Sequence, residues 1–150
     1  STIIVAQKYT HKFSQNNITF KAKEKQVLIL ENIVSWINKN TKENEKILMF
    51  PEFSTPLLMT NRQSDYMLYA LHDINIDILG KDYIRKRVLD NNIKYIIDTS
   101  PYNSYLYNAK SYKIVNEGKF IETTFKDEFK KIHQINIKNY KIKIYKKVSL

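Results

Sequence analysis

The chain predicts an α/β fold: a small mixed sheet flanked by helices, in a Rossmann-like three-layer arrangement with a C-terminal antiparallel hairpin. Three observations predict it. A helical pattern, a short polar turn and an apolar strand follow one another over residues 23–50, and the same order returns over residues 81–98. The runs Ile47-Leu48-Met49-Phe50 and Tyr95-Ile96-Ile97 have no wet face, as strands covered on both sides do. Near the C-terminus Tyr140, Ile142 and Ile144 alternate with Lys141 and Lys143, the period of a half-exposed strand.

Each element has its own local reason. Residues 1–21 are weakly patterned, with Asn16-Asn17 as a turn and Ile18-Thr19-Phe20 as a short extended piece. Over residues 23–40, Val27, Leu30, Val34 and Ile37 recur at spacings of three and four, and Ile29, Ile33 and Trp36 widen that face. The polar stretch 40–45 leads into the strand Lys46–Phe50. Ser54 or Thr55 caps a short helix that tolerates Pro56 in its first turn and turns Leu57, Leu58 and Met59 to the core. Residues 66–71 read as helical or irregular, and Ile74–Leu79 as a second short strand closed by Gly80. Lys81–Asn91 is a second amphipathic helix, with Tyr83, Ile84, Val88 and Leu89 on one face, and Ile93–Asp98 is the strand after it. A Ser/Pro/Asn/Tyr loop follows over 99–107, then a helical stretch at 109–115, a turn at Glu117-Gly118 and a short helix at 120–125. Phe129, Ile132 and Ile135-Asn136-Ile137, with the turn Lys138-Asn139, complete the hairpin, whose lysines guard the sheet edge.

The 150 residues read as a single domain with a sizeable core. No run approaches 18 apolar residues, so no segment reads as a bilayer span, and Ser1–Ala6 lacks the basic start and length of a signal peptide. The opening Ser-Thr, without an initiator Met, suggests a piece of a longer protein extending on the N-terminal side. Cysteine is absent, which removes disulfides, thiolate zinc sites and cysteine nucleophiles. The two glycines, Gly80 and Gly118, form neither a P-loop nor a GxGxxG turn. His11, His72 and His133 share no metal-ligand spacing, and no GxSxG elbow occurs. Hence no catalytic residue, metal ligand or cofactor is assigned. A net charge of +10 favours anionic partners, but the lysines are spread and arginine is confined to Arg62, Arg85 and Arg87.

Sites in α/β folds lie beyond the carboxyl ends of parallel strands. Two such ends carry acids here: Pro51-Glu52 after one strand, and Asp98-Thr99-Ser100 at the other. If the strands are neighbours, Glu52 and Asp98 face one crevice, with Arg62 and Tyr102 near it as ligand-binding candidates. The competing reading is structural: Asp98 caps a turn, and Glu52 pairs with Arg62 to hold a loop. The tyrosines Tyr102, Tyr105, Tyr107 and Tyr112 suit ring stacking, a membrane interface or plain packing on the sheet. The run Lys141-Lys143-Lys146-Lys147 resembles a nucleic-acid patch, although half of it is the solvent face of a strand.

Taken together, "ENIVSWINKNTKENEKILMFPE", "LLMTNR", "RVLDNNIKYIIDTS" and "NYKIKIYKK" resemble the soluble C-terminal extracytoplasmic domain of bacterial multi-spanning membrane glycosyltransferases. These are of the GT-C type, related to the dolichyl-phosphate-mannose and arabinose transferases. Trp36-Ile37, Pro51-Glu52, Arg62 and Tyr95-Ile96-Ile97 carry the resemblance, which spans roughly residues 23–147. The chain departs from the pattern at Asn61, where the family usually has Gly; Asn tolerates left-handed geometry better than most residues. The resemblance implies a parent glycosyltransferase of the cell membrane, with its catalytic acid in the transmembrane half and this domain on the extracytoplasmic face. It implies that this chain alone is inactive, holds no cofactor, and has as partners the transmembrane half of the same polypeptide and an anionic lipid or polyprenyl-phosphate sugar. Nucleic acid is not an expected partner. Two rival readings stay open: a basic nucleic-acid-binding module, and a stand-alone enzyme with Glu52, Arg62 and Asp98 in one pocket.

Overall fold

A computed structural model describes residues 11–68, 71, 73–100 and 119–149. Strands β1 (His11–Gln15) and β2 (Ile18–Ala22) form an antiparallel hairpin. Its turn residues Asn16 and Asn17 sit at φ 54° and 60°, the left-handed pair that a tight hairpin turn requires. Helix α1 (Glu24–Asn40) follows and leads to β3 (Lys46–Phe50). Helices α2 (Thr55–Thr60), α3 (Asp73–Leu79) and α4 (Lys81–Asp90) come next, with a 3-10 turn at Tyr66–Leu68 between the first two. Strand β4 (Ile93–Asp98), helix α5 (Phe120–Thr124) and strands β5 (Phe129–Ile137) and β6 (Tyr140–Lys147) complete the order. The fold is therefore mixed α/β, with two sheets and five α-helices among the described residues.

The larger sheet has the order β3-β4-β6-β5. Strands β3 and β4 are parallel neighbours, and β4–β6 and β6–β5 are antiparallel. The C-terminal hairpin is thus real, but β6 is an inner strand and β5 is the edge. Alternation divides the core. Ile47, Met49, Tyr95, Ile97, Ile142 and Ile144 pack with Ile29, Ile33 and Ile37 of α1. Leu48, Phe50, Ile96 and Tyr145 pack with Ile76, Ile84 and Val88 of α3 and α4 and with Phe120 and Ile121 of α5. Leu30 and Val34, a quarter-turn round α1, join Met59 and the hairpin residues Phe13, Ile18 and Phe20. Helix α1 is therefore held between the sheet and the hairpin, which explains its broad apolar face.

Three expectations change. Ile74–Leu79 is part of helix α3, not a strand. Its alternating isoleucines suggest period two, but β3 and β4 already pair directly and leave no place between them. Ile76 and Leu79, three apart, join the core instead, while Ile78 is 77% exposed. In α2, Leu57 and Met59 are buried but Leu58 is 60% exposed, because one helical turn cannot bury three consecutive residues. In α4, Ile84 and Val88 face the core at spacing four, Leu89 flanks them and Tyr83 is exposed. Gly80 joins α3 to α4 at φ 81° and ψ 148°, a region essentially reserved for glycine. The expected loop, helix and turn between 101 and 118 lie outside the described residues.

Candidate functional site at the ends of the parallel strands

The carboxyl ends of β3 and β4 lie side by side, with Phe50 opposite Asp98. Backbone bonds lock them: the Thr99 amide donates to the Phe50 carbonyl at 2.7 Å, and the Thr99 hydroxyl donates to it at 2.9 Å. That hydroxyl also reaches the Glu52 carbonyl at 3.3 Å. The turn after β3 is sharp, with Phe53 at φ 110°, where a bulky residue rarely sits. Phe53 is wedged there by packing edge-on against Phe20, ring centroids 6.5 Å apart. The Glu52 side chain is half-buried at this rim.

Asp98 lies beneath the rim at 2% exposure. It continues the face of Ile96 and stands across from Lys143 of β6. Its Oδ1 accepts from the Ser100 amide at 2.9 Å, so it does close a turn. Burial pushes its carboxyl up to about 6, against the opposing pull of Ser100 and the Lys143 ammonium. Helix α5 covers this end of the sheet. Phe120 stacks on Phe50 with centroids 5.1 Å apart, and Glu122 accepts from Lys143 Nζ at 2.7 Å and from the Tyr145 hydroxyl at 3.1 Å. The bond from Lys143 holds Glu122 below the usual carboxylate range. Burial first, then the neighbouring Asp98 and Glu122 charges, raises the Tyr145 phenol. The result is a packed cluster of two acids, one ammonium and one phenol, in which Asp98 gains or loses its proton near pH 6.

Arg62 stands elsewhere. The next residue, Gln63, bridges to Lys46 at the opposite, amino end of β3. The guanidinium donates to the Thr41 hydroxyl at 3.0 Å, to the Thr41 carbonyl at 2.8 Å and to the Thr60 carbonyl. It thereby ties the C-terminal end of α1 to that of α2, where a cation is favoured. Asn61, between them, is left-handed at φ 53°, the conformation that glycine or asparagine supplies at a helix end. Of the four sequence candidates, Glu52 and Asp98 share one strand-end region, Arg62 does not join them, and Tyr102 lies outside the described residues.

Sequence reasoning missed Glu122, Lys143 and Tyr145 as companions of Asp98. Lys143 in particular is only part-exposed: it stands opposite Asp98 in the ladder and donates to Glu122 of α5. The only signal was that Lys143 and Tyr145 share the parity of Lys141, and pairing register was needed to use it. Among the described residues, no cluster of three or more His, Asp or Glu is arranged to hold a metal. No helix among them is long and apolar enough to cross a membrane. Comparison with protein-family models, curated proteins and solved structures finds no match for this chain.

Proposed function

We propose that the chain is a non-catalytic accessory domain of an integral-membrane glycosyltransferase that uses a polyprenyl-phosphate sugar donor, and that it helps to position donor or acceptor. The architecture that goes with this reading is a Rossmann-like three-layer one, with α1 on one face of the sheet and α3, α4 and α5 on the other. One observation supports the reading most. The polar residues that the sequence singles out are largely committed to the scaffold: Asp98 is sealed under α5, and the Arg62 donors are spent on helix ends. What the rim presents is the sharp Pro51–Ser54 turn after β3, with Phe53 at φ 110°, a shaped surface rather than an acid–base pair. The net charge of +10 suits an anionic headgroup or a lipid-linked phosphate.

Flotation with vesicles tests this. Neutral vesicles, vesicles with an anionic phospholipid, and vesicles doped with a polyprenyl phosphate are compared across a salt series, with duplex DNA as the control. The expected result is salt-sensitive retention on the polyprenyl-phosphate vesicles, undiminished by Glu52→Ala, which removes a like charge from the rim. Tight, salt-steep DNA binding without lipid preference overturns the proposal, and so does retention on none of the vesicles.

A further inference from the structure

A second polar concavity lies on the opposite face of the sheet from the strand-end cluster. It is a groove of about 320 Å³ between the outer side of α1 and edge strand β5. Trp36 and His133 form its aromatic walls, with ring planes 19° from parallel and centroids 6.4 Å apart. Tyr95 packs edge-on beneath Trp36 at 5.6 Å, which fixes the indole. Asn32 and Asn40 line the groove, each with its amide nitrogen donating to its own helix, to the Leu28 and Trp36 carbonyls, at 2.8 Å. Their Oδ1 acceptors have no protein partner among the described residues. Lys39 is the one charged residue among the described lining.

His133 is in this groove because of a bulge. The register of β5 against β6 shifts between Lys131 and His133, so Lys131 faces Tyr145 and His133 faces Ile144. In a regular ladder Ile132 would stand opposite Ile144, and His133 would stand opposite Lys143 on the α5 face. With the bulge, His133 joins Ile135 and Ile137 on the α1 face, opposite Trp36. Bulges of this kind re-aim side chains and recur beside binding sites.

The geometry points to a binding site for a flat heterocycle carrying a phosphate: the base stacks on Trp36 and His133, the amide oxygens of Asn32 and Asn40 accept from its edge, and Lys39 meets the phosphate. Near-parallel aromatic planes favour a flat ring, stacking is sequence-tolerant, and ammonium groups supply the anion contact. The volume is at the lower end of small-molecule pockets and holds a base with part of its ribose. The free nucleotide and the single-stranded nucleic acid share this chemistry. The inference does not rest on the membrane reading above.

Trp36 is the chain's one tryptophan, so its fluorescence reports on the groove directly. The whole chain is titrated with AMP, adenosine, inorganic phosphate and a single-stranded dT oligonucleotide, at low and high salt. Saturable quenching by AMP is expected, weakened at least about five-fold by His133→Ala, whose fold is verified by its thermal melt. Lys39→Gln should weaken AMP more than adenosine. A tighter, salt-steep oligonucleotide response assigns the site to a nucleic-acid strand, and an AMP response as strong or stronger assigns it to a free nucleotide; both uphold the stacking site. Absence of saturable quenching, an equal response to phosphate alone, or an unchanged response in folded His133→Ala overturns it.

Discussion

Replacing Asp98 by Asn should stabilise the protein at neutral pH. Asp98 is 2% exposed, and its folded carboxyl titrates near 6 instead of 3.8. A carboxyl whose folded value is raised holds its proton more tightly in the folded state. The stability that this tighter hold contributes is fully present below about pH 3.8 and is lost as pH rises through about 6. A rise from 3.8 to about 6 corresponds to about 3 kcal/mol, lost by the wild type across that window. Asn stays neutral and keeps an acceptor for the Ser100 amide. Urea unfolding of both proteins at pH 4, 5, 6, 7 and 8 isolates the effect, since all other titrating groups are shared. The two curves should nearly meet at pH 4, and Asp98→Asn should exceed the wild type by up to about 3 kcal/mol at pH 7.5. A less stable Asp98→Asn at pH 7.5 would refute the reasoning. It would mean that the ionised Asp98, with Lys143 opposite, is net favourable in spite of its burial.

Other consequences follow from single residues. Arg62→Ala should cost about 2–3 kcal/mol in urea unfolding, because it strips a charged donor from the Thr41 and Thr60 carbonyls, and it should leave any vesicle binding of the folded protein unchanged. Gly80→Ala should cost about 1–3 kcal/mol although nothing lies within 4 Å of the added methyl, so the whole loss is backbone strain; calorimetry checks it. Ile97→Ala, at a fully buried position in the centre of the α1 face, should cost about 2–5 kcal/mol by the same urea assay. Asn61→Gly should stay within about 1 kcal/mol of the wild type in thermal melts, whereas Asn61→Val should lose more, because Asn61 is left-handed.

Much of the scaffold is legible in the residues themselves. Helix α1 announces itself through Val27, Leu30, Val34 and Ile37, and β3 and β4 through unbroken apolar runs. The hairpin of β5 and β6 is visible in the alternation after Lys138-Asn139, with Lys138 left-handed at φ 52°. Strand β1 was not legible: His11–Gln15 is polar at most positions and buries little, so its hydrophobic pattern is faint. Helix α3 was misread because Ile-Asn-Ile-Asp-Ile alternates, and only the direct pairing of β3 with β4 excludes a strand there. The strand-end acids were legible as a pair, since chain order places them after parallel strands. Their separation from Arg62 was not, because a short α2 returns the chain to the amino end of β3. The companions of Asp98 depend on β6 pairing with β4 across a long stretch of sequence, which local patterns do not encode. The His133 groove depends on a one-residue bulge, which leaves no mark in composition or period.

The most direct test of the accessory-domain account is an amide NMR titration of the chain with a polyprenyl phosphate in detergent micelles, against duplex DNA as a second ligand. The account predicts shifts concentrated at the amides of Glu52, Phe53, Thr99 and Ser100, where the two parallel strands end. Shifts absent from these residues with the lipid, together with DNA-induced shifts across the lysines of β5 and β6, would contradict it.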